Sequence, residues 1–119
     1  MTNKQLPFSA VRAAGDTLYI SGQIGMDVSG RFPEDTSFPA EARQVMENIG
    51  QLLQEQQLGF DDLVNVTIYL TDMDHYTEAN EVYRQYFTSV FPARVCIAVK
   101  ELPLHARIEI SGVARLQSK

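Results

Sequence analysis

Residues 91–99 read FPARVCIAV, a run of apolar and β-branched side chains that is typical of a buried strand. Because side chains alternate along a strand, Val95 and Ile97 take one face and Cys96 takes the other. Residues 63–70, LVNVTIYL, are apolar on both faces in the same way. Strands of this kind need both faces covered. The two helices predicted below can cover only one face, so we expect the other to pack on a second copy of the sheet, in a homo-oligomer.

The first third of the chain predicts a hairpin followed by a long loop. Gly15-Asp16 is a two-residue hairpin signal between short strands at 10–14 and 17–21. Residues 22–39 are rich in Gly, Pro, Asp and Ser, which favours a loop, with a short extra strand near Gln23 and Ile24 as an alternative.

Two amphipathic helices are predicted from apolar residues at helical spacing. Ser37 and Pro39 suit the start of the first helix and Gly59 its end, while Asp72 or Asp74 can cap the second. The apolar stripes are Ala42, Val45, Met46, Ile49, Leu52 and Leu53 in the first helix, and Tyr76, Ala79, Val82, Tyr83, Tyr86 and Phe87 in the second.

The element order predicts the fold class. Two final strands are expected at 93–102 and 106–116, so the order is β-β-(β)-α-β-α-β-β. This order predicts an α+β fold, in which one mixed β-sheet carries both helices packed on one face. No linker or repeat divides the chain, so we expect a single domain over residues 1–119.

Composition argues against several classes of protein. The formal net charge is −5 and no Lys/Arg cluster is present, so a nucleic-acid partner is not expected. No run approaches the roughly 20 apolar residues needed to span a bilayer, and no metal-ligand spacing occurs. Cys96 is the only cysteine and lies in a predicted strand. We therefore expect a cytoplasmic protein with no metal and no membrane partner.

Arg94 stands out because a guanidinium is costly to bury without an anionic partner. If 93–102 and 106–116 form an antiparallel hairpin, Cys96 lies opposite Glu109 and Arg94 is diagonal to Glu109, about 7–8 Å away. The last strand can instead insert elsewhere in the sheet. An internal Arg94–Glu109 ion pair is the simpler interpretation, since structural pairs outnumber catalytic ones. The alternative is that Arg94 binds a ligand carboxylate while Glu109 handles a water or a proton.

A second candidate is the segment SGQIG at 21–25, which follows a predicted strand. Its small residues allow close approach of a ligand, and its amides can donate to an anion. An ordinary turn at the end of a strand explains the same residues. Cys96 likewise has a structural explanation as a small buried hydrophobe.

Together these residues resemble the YjgF/RidA family of small enamine and imine deaminases, and the resemblance runs almost end to end. The resembling elements are LYISGQI (18–24), Asn48-Ile49, VNVTIYLTDM (64–73), NEVYRQYF (80–87), FPAR (91–94), ELP (101–103) and IEI (108–110). Each motif is weak by itself, whereas their order and spacing are specific.

The resemblance implies a homotrimer of chorismate-mutase-like subunits, with the sheets in a central barrel and three ligand clefts between subunits. It implies hydrolysis of reactive 2-imino acids to 2-keto acids and ammonia, with no cofactor. Arg94 matches the family arginine that binds the substrate carboxylate, and Glu109 matches the glutamate that positions water. The remaining positions that match the family's cleft are Ser21, Gly22, Asn80 and Cys96.

Three departures from the family pattern lie around this cleft. The family commonly carries Pro-Tyr-Ser-Gln near the amino terminus, whereas this chain reads Pro7-Phe8-Ser9-Ala10, so Phe8 keeps the ring and loses the hydroxyl. Val95 stands where Ser is usual, and Gly25 stands where Pro is usual. Because of Phe8, a non-enzymatic trimer that binds small carboxylates is the main alternative. RNA cleavage is a further alternative, which the acidic charge balance disfavours.

Overall fold

The computed structural model describes residues 6–116, in which five strands form one sheet beside two α-helices. In chain order the elements are β1 (Val11–Ala14), β2 (Thr17–Gln23), α1 (Phe38–Glu55), β3 (Leu63–Leu70), α2 (Tyr76–Arg84), β4 (Ala93–Ala98) and β5 (Ile108–Arg115). The strand order is β1-β2-β5-β3-β4, with β3 and β4 parallel and every other pair antiparallel. The predicted mixed sheet with two helices is confirmed. The alternative strand near Gln23 is the end of β2, after a register shift that follows Ile20.

The last two strands do not form a hairpin. β4 pairs only with β3, which it joins through the α2 crossover that a parallel connection requires, and β5 lies between β2 and β3. Cys96 is level with Ile68 on one edge of β3, and Glu109 is level with Tyr69 on the other. The hypothesis that places Cys96 opposite Glu109 is therefore wrong, because side-chain periodicity specifies a strand's faces but not its neighbours.

Both helices cover the same face of the sheet, as predicted. The side chains buried on this helix face are Leu18, Ile20, Val66, Ile68, Leu70, Ile108, Ile110 and Ala114. They pack on the buried stripes of the helices, which are Ala42, Val45, Met46, Ile49 and Leu53 in α1, and Ala79, Val82 and Tyr83 in α2. Burial of each large aliphatic side chain contributes about 1.5–3 kcal/mol, so this layer is the main source of stability.

The second face of the sheet, here called the open face, has no covering layer among residues 6–116. Its side chains are Tyr19, Thr67, Tyr69, Val95, Ile97, Glu109, Ser111 and Val113. Tyr19 is 51% exposed, Val95 53% and Ile97 41%. Large apolar side chains on a contiguous exposed surface typically mark an interface with another protein.

Local capping explains part of the helix boundaries. The Ser37 hydroxyl accepts a hydrogen bond from the Ala40 amide (3.3 Å) at the predicted start of α1. The helix ends at Glu55, because Gln57 adopts a left-handed conformation (φ 59°) that closes the last turn, so the predicted end at Gly59 is wrong. The predicted cap Asp72 holds the short 3₁₀ turn that leads into α2, whereas α2 itself begins after His75, which makes no side-chain capping bond.

Within the described chain, neither helix is long and apolar enough to cross a membrane.

Candidate functional site

Arg94 lies on β4 and is held by two aromatic rings of α2. Its Cζ is 4.9 Å from the centre of the Tyr83 ring and 5.9 Å from that of Tyr76. Its Nη2 also donates a long hydrogen bond to the Tyr76 hydroxyl (3.5 Å). No carboxylate among residues 6–116 forms an ion pair with this guanidinium. The simpler interpretation, an internal pair with Glu109, is therefore wrong for the single chain.

The guanidinium opens onto a cleft of about 260 Å³, here called the arginine cleft. It is lined by Asn80, Tyr83, Arg84, Phe91, Pro92 and Arg94. Two predicted site residues, Arg94 and Asn80, thus meet in one cavity. Cys96 follows Arg94 on the same face of β4, where burial raises the pKa of its thiol against the opposing charge of Arg94. A thiol in this state is a poor nucleophile at neutral pH. Cys96, which was predicted to line the ligand cleft, is not among the residues that line this cavity.

Glu109 lies on the open face of β5, close against the backbone of Gly22. A Cβ added at Gly22 would lie 2.8 Å from Cδ of Glu109, so only glycine leaves room for the carboxylate in this position. No hydrogen-bond donor within residues 6–116 contacts that carboxylate. Burial raises the pKa of Glu109, because a desolvated carboxylate favours its protonated form. An unpartnered carboxylate with a raised pKa is suited to proton transfer.

A second and larger cavity, of about 790 Å³, surrounds Glu109 and is here called the glutamate cleft. It is lined by Leu6, Phe8, Ala10, Ser21, Gly22, Gln23, Ile24, Met26, Asn48, Pro103, Leu104 and Glu109. Four of the predicted site residues, Phe8, Ser21, Gly22 and Glu109, therefore line this one cavity. Phe8 is 60% exposed at the rim. Ser21 donates its hydroxyl to the Ser9 carbonyl (2.6 Å), which ties the amino-terminal segment to β2.

The loop that follows β2 is fixed by side chains of α1. The Asn48 amide donates to the carbonyls of Ile24 (3.0 Å) and Met26 (2.8 Å). The buried Glu41 carboxylate accepts from the backbone N–H of Arg107 (2.8 Å) and from its Nε (2.7 Å). These bonds connect the rim of the glutamate cleft to the core of the fold.

In one chain the two clefts are separate. Arg94 is level with Val66 and faces the helices, whereas Glu109 is level with Tyr69 and lies on the open face. The two positions are three residues apart along the strand direction, and β4 and β5 are two strand spacings apart across the sheet. Their backbones are therefore about 14 Å apart. One small ligand cannot touch both side chains in a single chain. The predicted constellation is therefore divided into two half-sites.

Sequence reasoning does not identify several residues of this region. The sequence places Tyr76, which contacts Arg94, and Tyr83, which lines the arginine cleft, only in the apolar stripe of the second helix, although their spacing of seven residues puts both on one face toward β4. Leu104 lines the glutamate cleft in a left-handed conformation (φ 56°) and is 64% exposed. Nothing in its sequence context indicates that conformation, which is usual for glycine and not for leucine.

No group of three or more His, Cys, Asp or Glu side chains within residues 6–116 is arranged to hold a metal ion.

The chain is similar to known proteins over almost its whole length. The family model described as Endoribonuclease L-PSP matches residues 2–116. Human 2-iminobutanoate/2-iminopropanoate deaminase is 41% identical over 108 residues, which cover 91% of this chain and 79% of that protein. The crystal structure of RidA from the Antarctic bacterium Psychrobacter superposes with a TM-score of 0.88 at 30% identity, covering 96% of this chain and 92% of that one. Escherichia coli TdcF with bound serine gives a TM-score of 0.87 at 28% identity, covering 96% and 91%.

Proposed function

Because the chain belongs to the YjgF/RidA family, we propose that it hydrolyses reactive 2-imino acids to 2-keto acids and ammonia. The observation that carries this proposal is the environment of Arg94. Its guanidinium lines a cleft, lies over the rings of Tyr83 and Tyr76 and has no anionic partner among residues 6–116. A cation in this state is suited to bind a ligand carboxylate. The human relative named as an imine deaminase and the serine-bound relative both concern small molecules with a carboxylate.

We propose that the working protein is a homotrimer in which the open faces form the interior. The exposed apolar side chains of that face support this assembly, because oligomerisation would remove them from water. It also resolves the separation of the half-sites. The arginine cleft of one subunit would meet the glutamate cleft of its neighbour, so that each active site draws Arg94 and Glu109 from different chains.

In the proposed mechanism Arg94 fixes the substrate carboxylate with its two-donor edge. Backbone amides near Gly22 and Cys96 donate to the same anion. Asn80 lines the arginine cleft beside the bound acid, and the ring of Phe8 packs against its side chain. Orientation of this kind supplies much of the rate enhancement, since the imine carbon is already electrophilic and the reaction needs no cofactor.

Glu109 would carry the protons. Its carboxylate accepts a proton from a water molecule as the water oxygen bonds to the carbon of the protonated imine, and the π electrons of the C=N bond move to nitrogen, which gives a neutral carbinolamine. The protonated Glu109 then returns its proton to that nitrogen. The C–N bond breaks as Glu109 takes the hydroxyl proton, so the oxygen forms the carbonyl of the 2-keto acid, and the ammonia that leaves takes that proton from Glu109 as ammonium.

Arg94→Ala tests the proposal most simply. We expect the loss of freshly generated 2-iminopropionate to slow by about 10²–10³-fold, because the carboxylate clamp is removed. Arg43→Ala, which removes an exposed arginine of α1, serves as the matched control and should match wild type. Equal rates for wild type and Arg94→Ala would contradict the proposal.

Phe8 favours a second candidate, a trimer that binds small carboxylates without turnover. The ring at the rim of the glutamate cleft lacks the hydroxyl that the family pattern supplies. Pyruvate binding that depends on Arg94, together with imine loss no faster than in buffer, would select this candidate. Phe8→Tyr should then introduce or increase turnover.

The description of the matching family model raises RNA cleavage as a third candidate. The net charge of −5 opposes phosphate binding. We expect no RNA retention at about 0.15 M salt, and cleavage that Arg94→Ala abolishes would revive this candidate.

A further inference from the structure

The partners of Arg94 have a consequence for how a carboxylate is bound. A guanidinium carries five N–H donors in its plane, and a protein carboxylate beside it would occupy two of them. In a cation–π contact the cation lies over the face of an aromatic ring, which attracts it without the two hydrogen bonds that a carboxylate would accept. Cζ of Arg94 lies over the Tyr83 ring, 4.9 Å from its centre, and the one side-chain hydrogen bond of this guanidinium within residues 6–116 is the long bond to Tyr76, so donors remain for a ligand.

The ring of Tyr83 is itself held rigidly. Tyr83 is only 5% exposed, and its ring contacts Phe87 at 4.7 Å and Phe91 at 6.3 Å, the latter nearly parallel. Phe91 also lines the arginine cleft. A ring packed from several sides provides a fixed surface, so the guanidinium that rests on it is restricted to few orientations.

The hydroxyl of Tyr83 contributes nothing visible to this arrangement. Its oxygen is buried and has no hydrogen-bond partner within the described residues, and burial raises the pKa of Tyr83 to about 12. A buried unsatisfied hydroxyl costs stability, which a phenylalanine would avoid. The two parts of the side chain, ring and hydroxyl, can therefore be tested separately.

We propose that Tyr83, assisted by Tyr76, is a positioning residue that orients the Arg94 guanidinium edge-on toward the substrate carboxylate. Tyr83 presents the face of its ring to the cation, while Tyr76 accepts one hydrogen bond and adds a second ring at 5.9 Å. The arrangement stabilises the charge before a ligand arrives and leaves at least two N–H donors free to bind the carboxylate. This inference rests on the proposed role of Arg94 in carboxylate binding.

The test compares Tyr83→Leu with Tyr83→Phe, using pyruvate affinity and imine hydrolysis as separate readouts. Loss of the ring should weaken pyruvate binding and raise KM by about 5- to 30-fold, because a partly desolvated cation–π contact is lost. We expect kcat to fall by a smaller factor than KM rises, since most of the lost carboxylate binding is common to the ground state and the transition state and only the remainder is lost orientation. Tyr83→Phe should bind pyruvate like wild type.

Two further variants keep the test decisive. Tyr86→Leu removes a neighbouring aromatic side chain that contacts Phe60, so it controls for a general loss of packing and should leave affinity unchanged. If Tyr83→Leu does not fold, Tyr76→Leu replaces it, because Tyr76 is 42% exposed, and a loss of about 2- to 5-fold is expected. Wild-type affinity in a folded ring-deletion variant would overturn the inference, as would an equal loss in Tyr86→Leu.

The readouts separate this inference from the proposed function. Arg94-dependent pyruvate binding that weakens in Tyr83→Leu supports the positioning role even if no imine is hydrolysed. Hydrolysis that depends on Arg94 but is insensitive to Tyr83→Leu and Tyr76→Leu contradicts the positioning role alone.

Discussion

Arg94 and Glu109 lie on opposite faces of the same sheet, on either side of β3. Arg94 faces the helices and rests on Tyr83, whereas Glu109 lies on the open face against Gly22. Neither charge is neutralised by the other. If both residues act on one small ligand, as we propose, they must come from two different chains.

Assembly is expected to depend on the open face. Val95→Glu should dissociate the proposed trimer, because a carboxylate would be placed on the apolar open face that we propose is buried between subunits. The mass in solution, measured by light scattering, should fall to that of a monomer or dimer. Val28→Glu makes the same change at a fully exposed loop position and should leave the mass unchanged. A wild-type protein that is monomeric would contradict the assembly.

Gly22 is expected to control the position of Glu109. An added methyl group would collide with the Glu109 side chain, so Gly22→Ala should displace the carboxylate by about 1 Å or more and lower kcat/KM by about 10²-fold. Gly59→Ala is the matched control, because nothing lies within 4 Å of a Cβ added there. Activity that survives Gly22→Ala would show that the carboxylate need not occupy this position.

The pH profile of imine hydrolysis should report Glu109. Burial raises the pKa of this carboxyl above its ordinary value of 4.5, and the ionised form is the base. We therefore expect kcat/KM to fall as the pH decreases, with a midpoint above 4.5. In Glu109→Gln the residual rate should lose this acid limb. An acid limb that persists in the variant would assign it to another group.

Glu109 should also reduce stability at neutral pH. The pKa of Glu109 is higher in the folded state than in the unfolded state, so at pH values between these two pKa values the folded protein binds more protons than the unfolded chain. The free energy of unfolding therefore falls as the pH rises through this range. Glu109→Gln should therefore be more stable than wild type at pH 7.5, with the difference shrinking at lower pH. Urea unfolding at several pH values measures this, and Glu101→Gln, at an exposed position, should show no such trend.

The Glu41–Arg107 pair is expected to be structural. Glu41 is 4% exposed and accepts two hydrogen bonds from Arg107, which joins the start of β5 to α1. Glu41→Ala should cost about 1.5–3 kcal/mol of unfolding free energy, because the backbone N–H of Arg107 loses its partner and the guanidinium, which stays 37% exposed, loses a charge-assisted hydrogen bond. Glu55→Ala removes an exposed carboxylate of the same helix and should cost less than about 1 kcal/mol. An equal loss of unfolding free energy in Glu41→Ala and Glu55→Ala would show that the Glu41–Arg107 contact contributes little to stability.

The periodicity of apolar residues predicts the structural features that depend on short segments of sequence. The two helices, the hairpin at Gly15 and the face on which Arg94 lies follow from spacing and capping, and the structure confirms them. The residue pattern singles out Glu109 and the segment containing Gly22, and the family resemblance gives them roles in one cleft; the fold brings the two residues into contact. These features are encoded within short segments of the chain.

Features that depend on long-range pairing could not be predicted in this way. The pattern of 106–116 specifies which residues face the core, but its insertion between β2 and β3 depends on edges that only the folded sheet presents. The end of α1 at Gln57 and the left-handed Leu104 depend on tertiary packing that overrides residue preference. Likewise, the contact of Tyr83 with Arg94 requires β4 to return beside β3 under α2.

Subunit mixing tests the shared site most directly. Arg94→Ala and Glu109→Gln should each be inactive alone, whereas unfolding and refolding them together at equal amounts should restore about one quarter of the wild-type sites, since half of the subunits carry each intact residue. Arg94→Ala refolded with the Arg94→Ala/Glu109→Gln double variant is the control and should stay inactive. Mixed oligomers with no restored activity would contradict the account, because each site would then take both residues from one chain.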